Sequence, residues 1–525
     1  MKITKLRLVS VLFSGLALVF GFTIRMFVVL RFTNFSGDQI NDAERVMGIW
    51  QGIAPSLGPG PIAWSGLTGD VSLPPLYYYL TFPFTVITPD LSAQAIQNFI
   101  FTFLSIPLLG IVIYQAISGI NQEKRLFIAS LSMLWYACLF RNIVMSTGDS
   151  LAGNPVSIPF FLLWFTLLYS YQFKALRNPS TKKIEILSWI AYGLSLVMLM
   201  NLHFTPFFVM PVVFLIGLFF YILKYPKRIK ILLLSGISLI TAILMMLPYW
   251  IGEIERGWTN SNRIFLLITK SSDGDSYSVT LLQRLQAIAS GYFHLGSEVY
   301  IMGNSWERVS LSFVFLSIVV ILGLAKFKGD RSILIILIAT WLVFLFAYSS
   351  VNLDNTYNPV FYKLLIYLAP IFLTAFSLAY LDFSKKTGKA LSVSLGFFIS
   401  ISIFVNLGFH YNYVTGRAGN PRIPNTKDVA AALLEIPEKS TICSPSGRYD
   451  DVRTYEYTDN FVSQRGLNIQ TDCETNRYFI YAKYESVGNF TMRPRESFRE
   501  KFEDFGKPYS LYKDLPLFYI YQISS

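Results

Sequence analysis

Charge is scarce in this chain. Asp, Glu, Lys and Arg make up 14% of its 525 residues, where soluble domains carry roughly 25%. With 53% hydrophobic residues, 45 Phe and 31 Tyr, and a mean hydropathy of +0.46, that shortage excludes a soluble globular protein. The alternating segments of about ten residues that build membrane β-barrels are missing. No G-x-x-x-x-G-K-[ST] signals an ATP-binding loop. There are three histidines, none spaced as metal ligands, which argues against a zinc site; His294 and His410 read as structural. Three cysteines say little. Cys138 lies in an apolar run as a small buried residue. Cys443 and Cys473 lie in a polar tail and could pair if that tail faces an oxidising space. No internal repeat is evident.

What is present is a series of apolar runs. A bilayer core needs about 20 consecutive apolar residues per helix, and candidates lie near 8–31, 92–118, 126–146, 155–173, 185–202, 205–223, 231–250, 309–326, 331–350, 359–381 and 389–408. Only "NLHFTP" separates the fifth from the sixth. The expected fold class is an all-α polytopic membrane protein with about eleven spans, long outer loops and a small C-terminal α/β domain. The net charge of +12 reflects membrane sidedness and not a nucleic-acid partner. "MKITKLR", "NQEKR", "FKALRNPSTKK", "LKYPKRIK", "AKFKGDR" and "DFSKKTGK" are short and basic, and fall on one side, the expected cytoplasmic side. The first run is too long for a signal-peptide core and lacks an A-x-A site, so it reads as a retained helix with a cytoplasmic N-terminus. An odd number of spans then places the C-terminus outside.

The other side receives long segments, at 32–91, 147–154, 251–308 and 351–358, together with the tail. Loops longer than about 12–15 residues are usually functional or disordered, and these mix Trp, Tyr, Gly and Pro without low complexity. Two units follow: a membrane module over 1–408 and an outer domain over 409–525. In the tail, "NTKDVAAALLEI" has amphipathic helical spacing, and "RYFIYAKY" and "LPLFYIYQI" are strand-like.

Chemistry concentrates in "NFSGDQINDAERVMGIW", residues 34–50, where carboxylates follow the first apolar run. Ser36 and Gln39 have capping-box spacing, so a surface helix starts here. Asp38, Asp42 and Arg45 fall along one face of it. For Asp42 and Glu44 the helix dipole is explanation enough, a surface role. Asp38 differs: it sits where the apolar helix emerges, beside Gly37, which admits close approach. In "SLPPLYYYLTFPF", residues 72–84, two prolines break any helix ahead of three tyrosines. An aromatic belt explains the tyrosines, but not their pairing with an upstream acid.

An acid just after the first membrane helix, then a surface helix, then "PPLYYYL" with Tyr77 and Tyr78, resembles the polyprenyl-phosphate-sugar-dependent glycosyltransferases of GT-C fold, such as the protein O-mannosyltransferases and the bacterial lipid A aminoarabinose transferase. Further matches follow in order. They are Arg25 in "FTIRMF", "GNPVSIPFFLLW", His203 in "LMNLHFTPFFVMP", "LPYWIGEIERGWTN" with Glu253 and Arg256, and "FYKLLIYLAP" with Lys363. The resemblance covers about residues 8–410. It departs from the family where many members have a second acid, here Gln39, and where Phe361 replaces a frequent His.

The resemblance implies transfer of a sugar from a polyprenyl-phosphate donor to a glycan, lipid or protein acceptor, at the outer face of a bacterial cytoplasmic (inner) membrane. Asp38 maps onto the catalytic or metal-associated acid, and Asp149 onto a second acid; a turn role beside Gly148 remains open for Asp149. The acceptor hydroxyl is the weak partner, so a carboxylate serves as general base. A divalent metal, Mg or Mn, could steady the phosphate, with Asp38 as a ligand. The cations that would hold the phosphate are Arg25, Arg45, Arg256, Arg263 and Lys363. An arginine inside an apolar helix is costly and usually functional, which singles out Arg25. The competing class is a transporter or flippase of lipid-linked sugars. Such a protein places polar groups at the bilayer midplane, whereas the acids here gather on one face.

Overall fold

The computed structural model describes residues 4–31, 37–59, 71–87, 92–140, 154–175, 182–226, 228–269, 282, 333, 335–340, 343, 368–381, 386–418, 432–443, 468–470, 477–482, 484–487, 491–494, 509–516 and 518–523. Its helices are α1 (Lys5–Arg31), α2 (Gly37–Gly48), α3 (Leu76–Thr81), α4 (Ser92–Ala116), α5 (Gln122–Cys138), α6 (Ile158–Ala175), α7 (Lys182–Leu202), α8 (Phe204–Lys224), α9 (Arg228–Met245), α10 (Leu247–Glu255), α11 (Thr259–Thr269), α12 (Leu368–Tyr380) and α13 (Lys386–Ala418). Among the described residues, six helices are long and apolar enough to cross a membrane: Lys5–Val29, Ala93–Ala116, Lys183–Leu202, Pro206–Lys224, Arg228–Met245 and Gly388–Thr415. Leu8, Val11, Leu12, Leu16 and Val19 of α1 are exposed, as suits a face turned to lipid.

The expected runs 8–31, 92–118, 155–173, 185–202 and 205–223 correspond to α1, α4, α6, α7 and α8. Of 359–381 only the part from 368 is described, as α12, and of 331–350 only 333, 335–340 and 343 are described. Three runs differ from expectation. The run 126–146 was expected to be continuous, but α5 covers Gln122–Cys138 and stops there, with Leu139 extended. The backbone N–H of Phe140 is taken instead by the Asn406 side chain, at 2.8 Å, so the chain leaves the helix with its donor satisfied. The run 231–250 divides at Met246 into α9 and α10, with a proline, Pro248, in the first turn of α10. Proline has no N–H to offer the carbonyl four residues back, and the helix is interrupted there. The last span runs on to Ala418. The expected run 309–326 lies outside the described residues.

One end of the bundle gathers the basic loops. Arg125 donates from Nη2 to the carbonyl of Tyr114 at 2.6 Å and lies 4.0 Å over that ring. Lys124 caps the carbonyl of Ala379 at 2.8 Å, and Tyr380 reaches the carbonyl of Ser118 at 2.9 Å. Lys230 pairs with Glu185 at 2.7 Å. Cations on the last carbonyls of a helix complement its dipole, so the basic loops also hold the helix ends together.

The middle of the bundle is aromatic. Tyr221 donates to the carbonyl of Tyr169 at 2.6 Å and Tyr169 to that of Gly217 at 3.1 Å, while Phe165 stacks on Tyr192 with centroids 4.4 Å apart. α7 and α9 meet backbone to backbone at Gly193, where a Cβ would lie 2.3 Å from the carbonyl oxygen of Ser238. Small residues at such crossings let membrane helices approach closely.

The tail contains a mixed five-stranded sheet in the order β2-β1-β3-β7-β6, from β1 (Thr441–Cys443), β2 (Asn468–Gln470), β3 (Tyr478–Ala482), β6 (Tyr509–Asp514) and β7 (Phe518–Ile523), and a hairpin of β4 (Tyr484–Val487) and β5 (Thr491–Pro494). β1 runs parallel to β2 and β3; β7 runs antiparallel to β3 and β6. Ala432, Leu433 and Ile436 from the amphipathic segment bury against Ile442, Ile480 and Ile520. Of that expected helix only residues 432–434 are described as helical. Cys473 lies outside the described residues.

Gly193→Ala is expected to lower the melting temperature in detergent, costing about 1–3 kcal/mol as for other overpacked sites, because the opposing Ser238 carbonyl is backbone and cannot rotate away. For sidedness, a cysteine placed in 121–125 and another in 509–514 should label from opposite faces of sealed vesicles; labelling of both from one face would overturn the arrangement.

Candidate functional site

The end of the bundle opposite the basic loops is built from short pieces. α2 buries Asp42, Ala43 and Val46 and leaves Arg45 exposed. A 3₁₀ turn, Ile49–Gln51, carries the chain to 52–59. This stretch pairs with 71–75: Gly58 N–H donates to the Leu73 carbonyl, 2.6 Å, and Leu73 N–H to that of Pro59, 3.1 Å. After Pro74 and Pro75 the chain forms α3, whose first N–H, at Leu76, donates to Oδ1 of Asn201 at the end of α7, 3.2 Å away. A helix N-terminus has donors without intrahelical partners, and here a side chain from another helix meets one. The two prolines break helicity as expected, and the tyrosines then form a single turn and a half.

That turn brings Tyr78 to Asp42. The phenol donates to Oδ1 at 2.7 Å, and Asp42 is 6% exposed. Asp42 was expected at the surface, serving only the helix dipole. The structure corrects this: α2 turns its Asp42 face inward, and a buried carboxylate requires a donor, which Tyr78 supplies. Arg45 lies with its guanidinium carbon 6.0 Å from the centre of the Tyr78 ring and donates to the Leu57 carbonyl at 3.4 Å. Burial, with the charge of Asp42 added, raises the Tyr78 hydroxyl well above its ordinary range, so it stays a donor. Tyr77 is fully buried and reaches Oε1 of Gln94 at 3.4 Å.

A second knot joins α10 and α11 to the same loops. Glu253 is fully buried and bonds Nη2 of Arg256 at 3.0 Å; Ser261 N–H donates to its other oxygen at 2.6 Å. Burial alone would raise this carboxyl, but the bonds from Ser261 and Arg256 outweigh it and hold it below the usual carboxylate range. Arg256 donates from Nη1 to Ser56 at 2.6 Å. Gly252 makes room for this, since a Cβ there would lie 2.4 Å from that of Ser56. Asn260 clasps the backbone of Ser72 through both ends of its amide, each at 2.9 Å. Between the helices Gly257 and Trp258 both have φ of +62°. Such a conformation costs a non-glycine residue roughly 1–2 kcal/mol, and the Trp258 N–H answers it with a 2.7 Å bond to the Glu253 carbonyl.

The sequence-derived candidates therefore separate. Tyr78, Asp42 and Arg45 come together, and Glu253 and Arg256 form a pair tied to the same loops. His203 is the one non-helical residue between α7 and α8, and burial pushes its imidazole down to about 4, which keeps it neutral. Arg25 is fully buried within the bundle. Asp38 lies in the first turn of α2, one turn before Asp42; its side chain, Asp149 and Lys363 lie outside the described residues. Asn201, Asn260, Ser72 and Gln94 were not anticipated. Asn201 had a signal, an amide inside an apolar run, which a membrane helix carries only for a purpose. Among the described residues no cluster of three or more His, Cys, Asp or Glu is placed to hold a metal. Asp42 and Glu253 are both committed to protein donors, so they do not form a cation cage.

No family model and no curated protein sequence matches the chain. Solved structures resemble it. One is the archaeal oligosaccharyltransferase AglB from Archaeoglobus fulgidus in complex with an inhibitory peptide and a dolichol-phosphate, at 11% identity and a TM-score of 0.44, over 88% of this chain and 61% of that one. Another is the Archaeoglobus fulgidus oligosaccharyltransferase in complex with Zn and sulfate, at 12% and 0.41, over 88% and 59%. A third is ArnT from Cupriavidus metallidurans in the apo state, at 10% and 0.39, over 97% of each chain. The chain thus spans about three fifths of the oligosaccharyltransferases it resembles.

Tyr78→Phe removes the hydroxyl that donates to the buried Asp42 carboxylate. Hydrogen bonds to charged groups are worth about 1.5–3 kcal/mol, so the variant should melt measurably lower in detergent. An unchanged melting temperature would show that the bond does not anchor α2.

Proposed function

We propose that this chain is an integral-membrane glycosyltransferase. It moves a sugar from a polyprenyl-phosphate-linked donor to an extracytoplasmic glycan, lipid or protein acceptor, with inversion. The observation that supports this best is the docking of α2 on the tyrosine turn. The Asp42–Tyr78 bond fixes the helix whose first turn carries Asp38, and it does so at the end of the bundle where the first apolar helix emerges. A structural carboxylate one turn from an unassigned one divides the labour: Asp42 positions the helix and Asp38 does the chemistry.

In the proposed step Asp38 takes the proton of the acceptor hydroxyl. The acceptor oxygen forms a bond to the anomeric carbon from the face opposite the phosphate. The bond from that carbon to the phosphate oxygen breaks, and its electron pair leaves with the polyprenyl phosphate. The leaving group needs no acid, so a single base is sufficient. Arg45, exposed beside the Tyr78 ring, is a cation for the phosphate. Arg256 is tied to Glu253 and Ser56, and acts by holding 52–59 against α10. Lys363 as a further phosphate contact, Asp149 as a second acid, and His203 beside the acceptor complete the proposed site.

Asp38→Asn keeps size and removes the base. Transfer of labelled sugar from a polyprenyl phosphate donor, in liposomes with expression matched, is expected to fall about 10²–10⁴-fold, with little change in melting temperature. Near-normal transfer by this variant would overturn the assignment.

A further inference from the structure

The three helices α1, α5 and α13 all start at the basic end, and they meet again at the opposite one. At about 1.5 Å per residue, Arg25 lies roughly 30 Å along α1 from Lys5, and His410 roughly 36 Å along α13 from Lys386. These lengths match the thickness of a hydrocarbon core, about 30 Å. Both residues therefore sit at the far membrane boundary, where α5 ends.

Arg25 is fully buried. Its Nη1 donates to the Gly21 carbonyl of its own helix at 3.1 Å. Nε and Nη2 have no hydrogen-bond partner among the described residues. Those two N–H groups form one edge of the guanidinium, the edge that grips two oxygens of a single oxyanion side-on. Nearby, His410 is 4% exposed, and its Nε2 lies 3.1 Å from the Cys138 carbonyl. A carbonyl only accepts, so Nε2 carries the proton and Nδ1 presents a lone pair, which also has no partner among the described residues. Phe20 and Phe140 stand edge-on to the imidazole at 5.4 and 5.0 Å and fix its plane. A buried cation left with bare donors is strongly unfavourable, and at a membrane boundary it marks a binding function.

The unpaired groups of Arg25 and His410 are thus two donors on a cation and one acceptor on the imidazole. A carboxylate satisfies the donors but has no proton for the acceptor, and a phosphodiester has none either. A phosphate monoester keeps a P–OH in its monoanion, until its second ionisation near pH 6, and bound as the monoanion it satisfies all three. We propose that Arg25 and His410 form a buried subsite for a phosphate monoester. Two of its oxygens accept from Nε and Nη2 of Arg25, and its P–OH donates to Nδ1 of His410. Ile24, Val28, Phe27 and Phe409, which pack around this junction, suit a phosphate borne on a lipid. If the proposed transfer holds, the released carrier is such a monoester, while the sugar-loaded donor is a diester. The subsite then prefers the spent carrier. That last identification rests on the proposed function; recognition of the headgroup does not.

The test is binding, read as ligand-induced thermal stabilisation of the full chain in detergent. The probes are phosphatidic acid, polyprenyl monophosphate, phosphatidylglycerol and inorganic phosphate. Phosphatidic acid is expected to bind at least about 10-fold more tightly than the diester phosphatidylglycerol, as the loss of one hydrogen bond to a charged group implies. Arg25→Met should abolish the shift without lowering the ligand-free melting temperature, since it replaces an unpaired buried charge with an apolar side chain of similar volume. Arg25→Lys keeps the charge and loses the fork, and should weaken binding by a similar factor. It serves as the readout if Arg25→Met does not fold. His410→Phe should bring monoester and diester to near parity. Stabilisation by inorganic phosphate alone would identify a free phosphate as a sufficient ligand, and stabilisation only by the lipids would identify a lipid headgroup. Binding of phosphatidic acid but not of polyprenyl monophosphate would support the subsite and remove the carrier as its ligand. Equal affinity for the two phospholipids in the wild type, or wild-type binding by Arg25→Lys, would overturn the proposal.

Discussion

Hydrocarbon offers no hydrogen-bond partner, and that constraint shapes this molecule from one end to the other. A backbone that leaves the helix inside a bilayer must find its partners within the protein. Two departures from regular helix at the end opposite the basic loops obey this. Where α5 stops, Asn406 takes the next backbone donor and His410 meets the carbonyl of Cys138. Where α3 begins, Asn201 takes the first donor. Each of these polar side chains is embedded in an otherwise apolar helix, and each sits beside a backbone group that would have none. The helix breaks and the isolated amides are one design.

At the end opposite the basic loops, segments distant in sequence are held together by side-chain hydrogen bonds. Asn260 clasps Ser72 across 188 positions, and Arg256 reaches Ser56 across 200. Such bonds cost little chain entropy once the helices are packed, because the bundle has already brought the segments together. The buried Glu253 makes Arg256 rigid, so the guanidinium acts as a bracket and is withdrawn from the pool of cations that could meet a substrate. Arg45, exposed, is not so tied. Two arginines of the same region thereby differ in what they can do, because the buried Glu253 takes Arg256 as its donor whereas the buried Asp42 takes Tyr78.

Much of the helical frame was legible in the sequence, because long apolar runs bounded by lysine and arginine leave few alternatives. The runs beginning near 8, 92, 185 and 205 all became helices close to their expected bounds. The stop at Cys138 was not legible, since the signal is an asparagine in α13, far along the chain. The break at Met246 had a local cue in Pro248, masked by the apolar residues on both sides. Asp42 was misread for a related reason: local sequence gives the dipole a sufficient account of any acid in the first turns of a helix, and only the placement of Tyr78 shows that α2 turns that acid inward. The tyrosines stand out in the sequence; their partner does not. Strands in the tail were readable from β-branched and aromatic content, but their order, with parallel and antiparallel neighbours, depends on contacts between segments and leaves no local trace.

The edge of the tail sheet bears on how molecules coexist in a crowded membrane. Among the described residues β6 pairs with β7 alone, its register slips between Leu511 and Lys513, and Lys513 is held by Glu435. A bulge twists the exposed strand away from the flat form that another strand could join, and a lysine on it adds the charge that natural edges use against such joining. Confinement to two dimensions raises the local concentration of these tails and keeps them at the same height, the arrangement most prone to sheet extension between neighbours. The irregular edge makes each tail a poor template for the next.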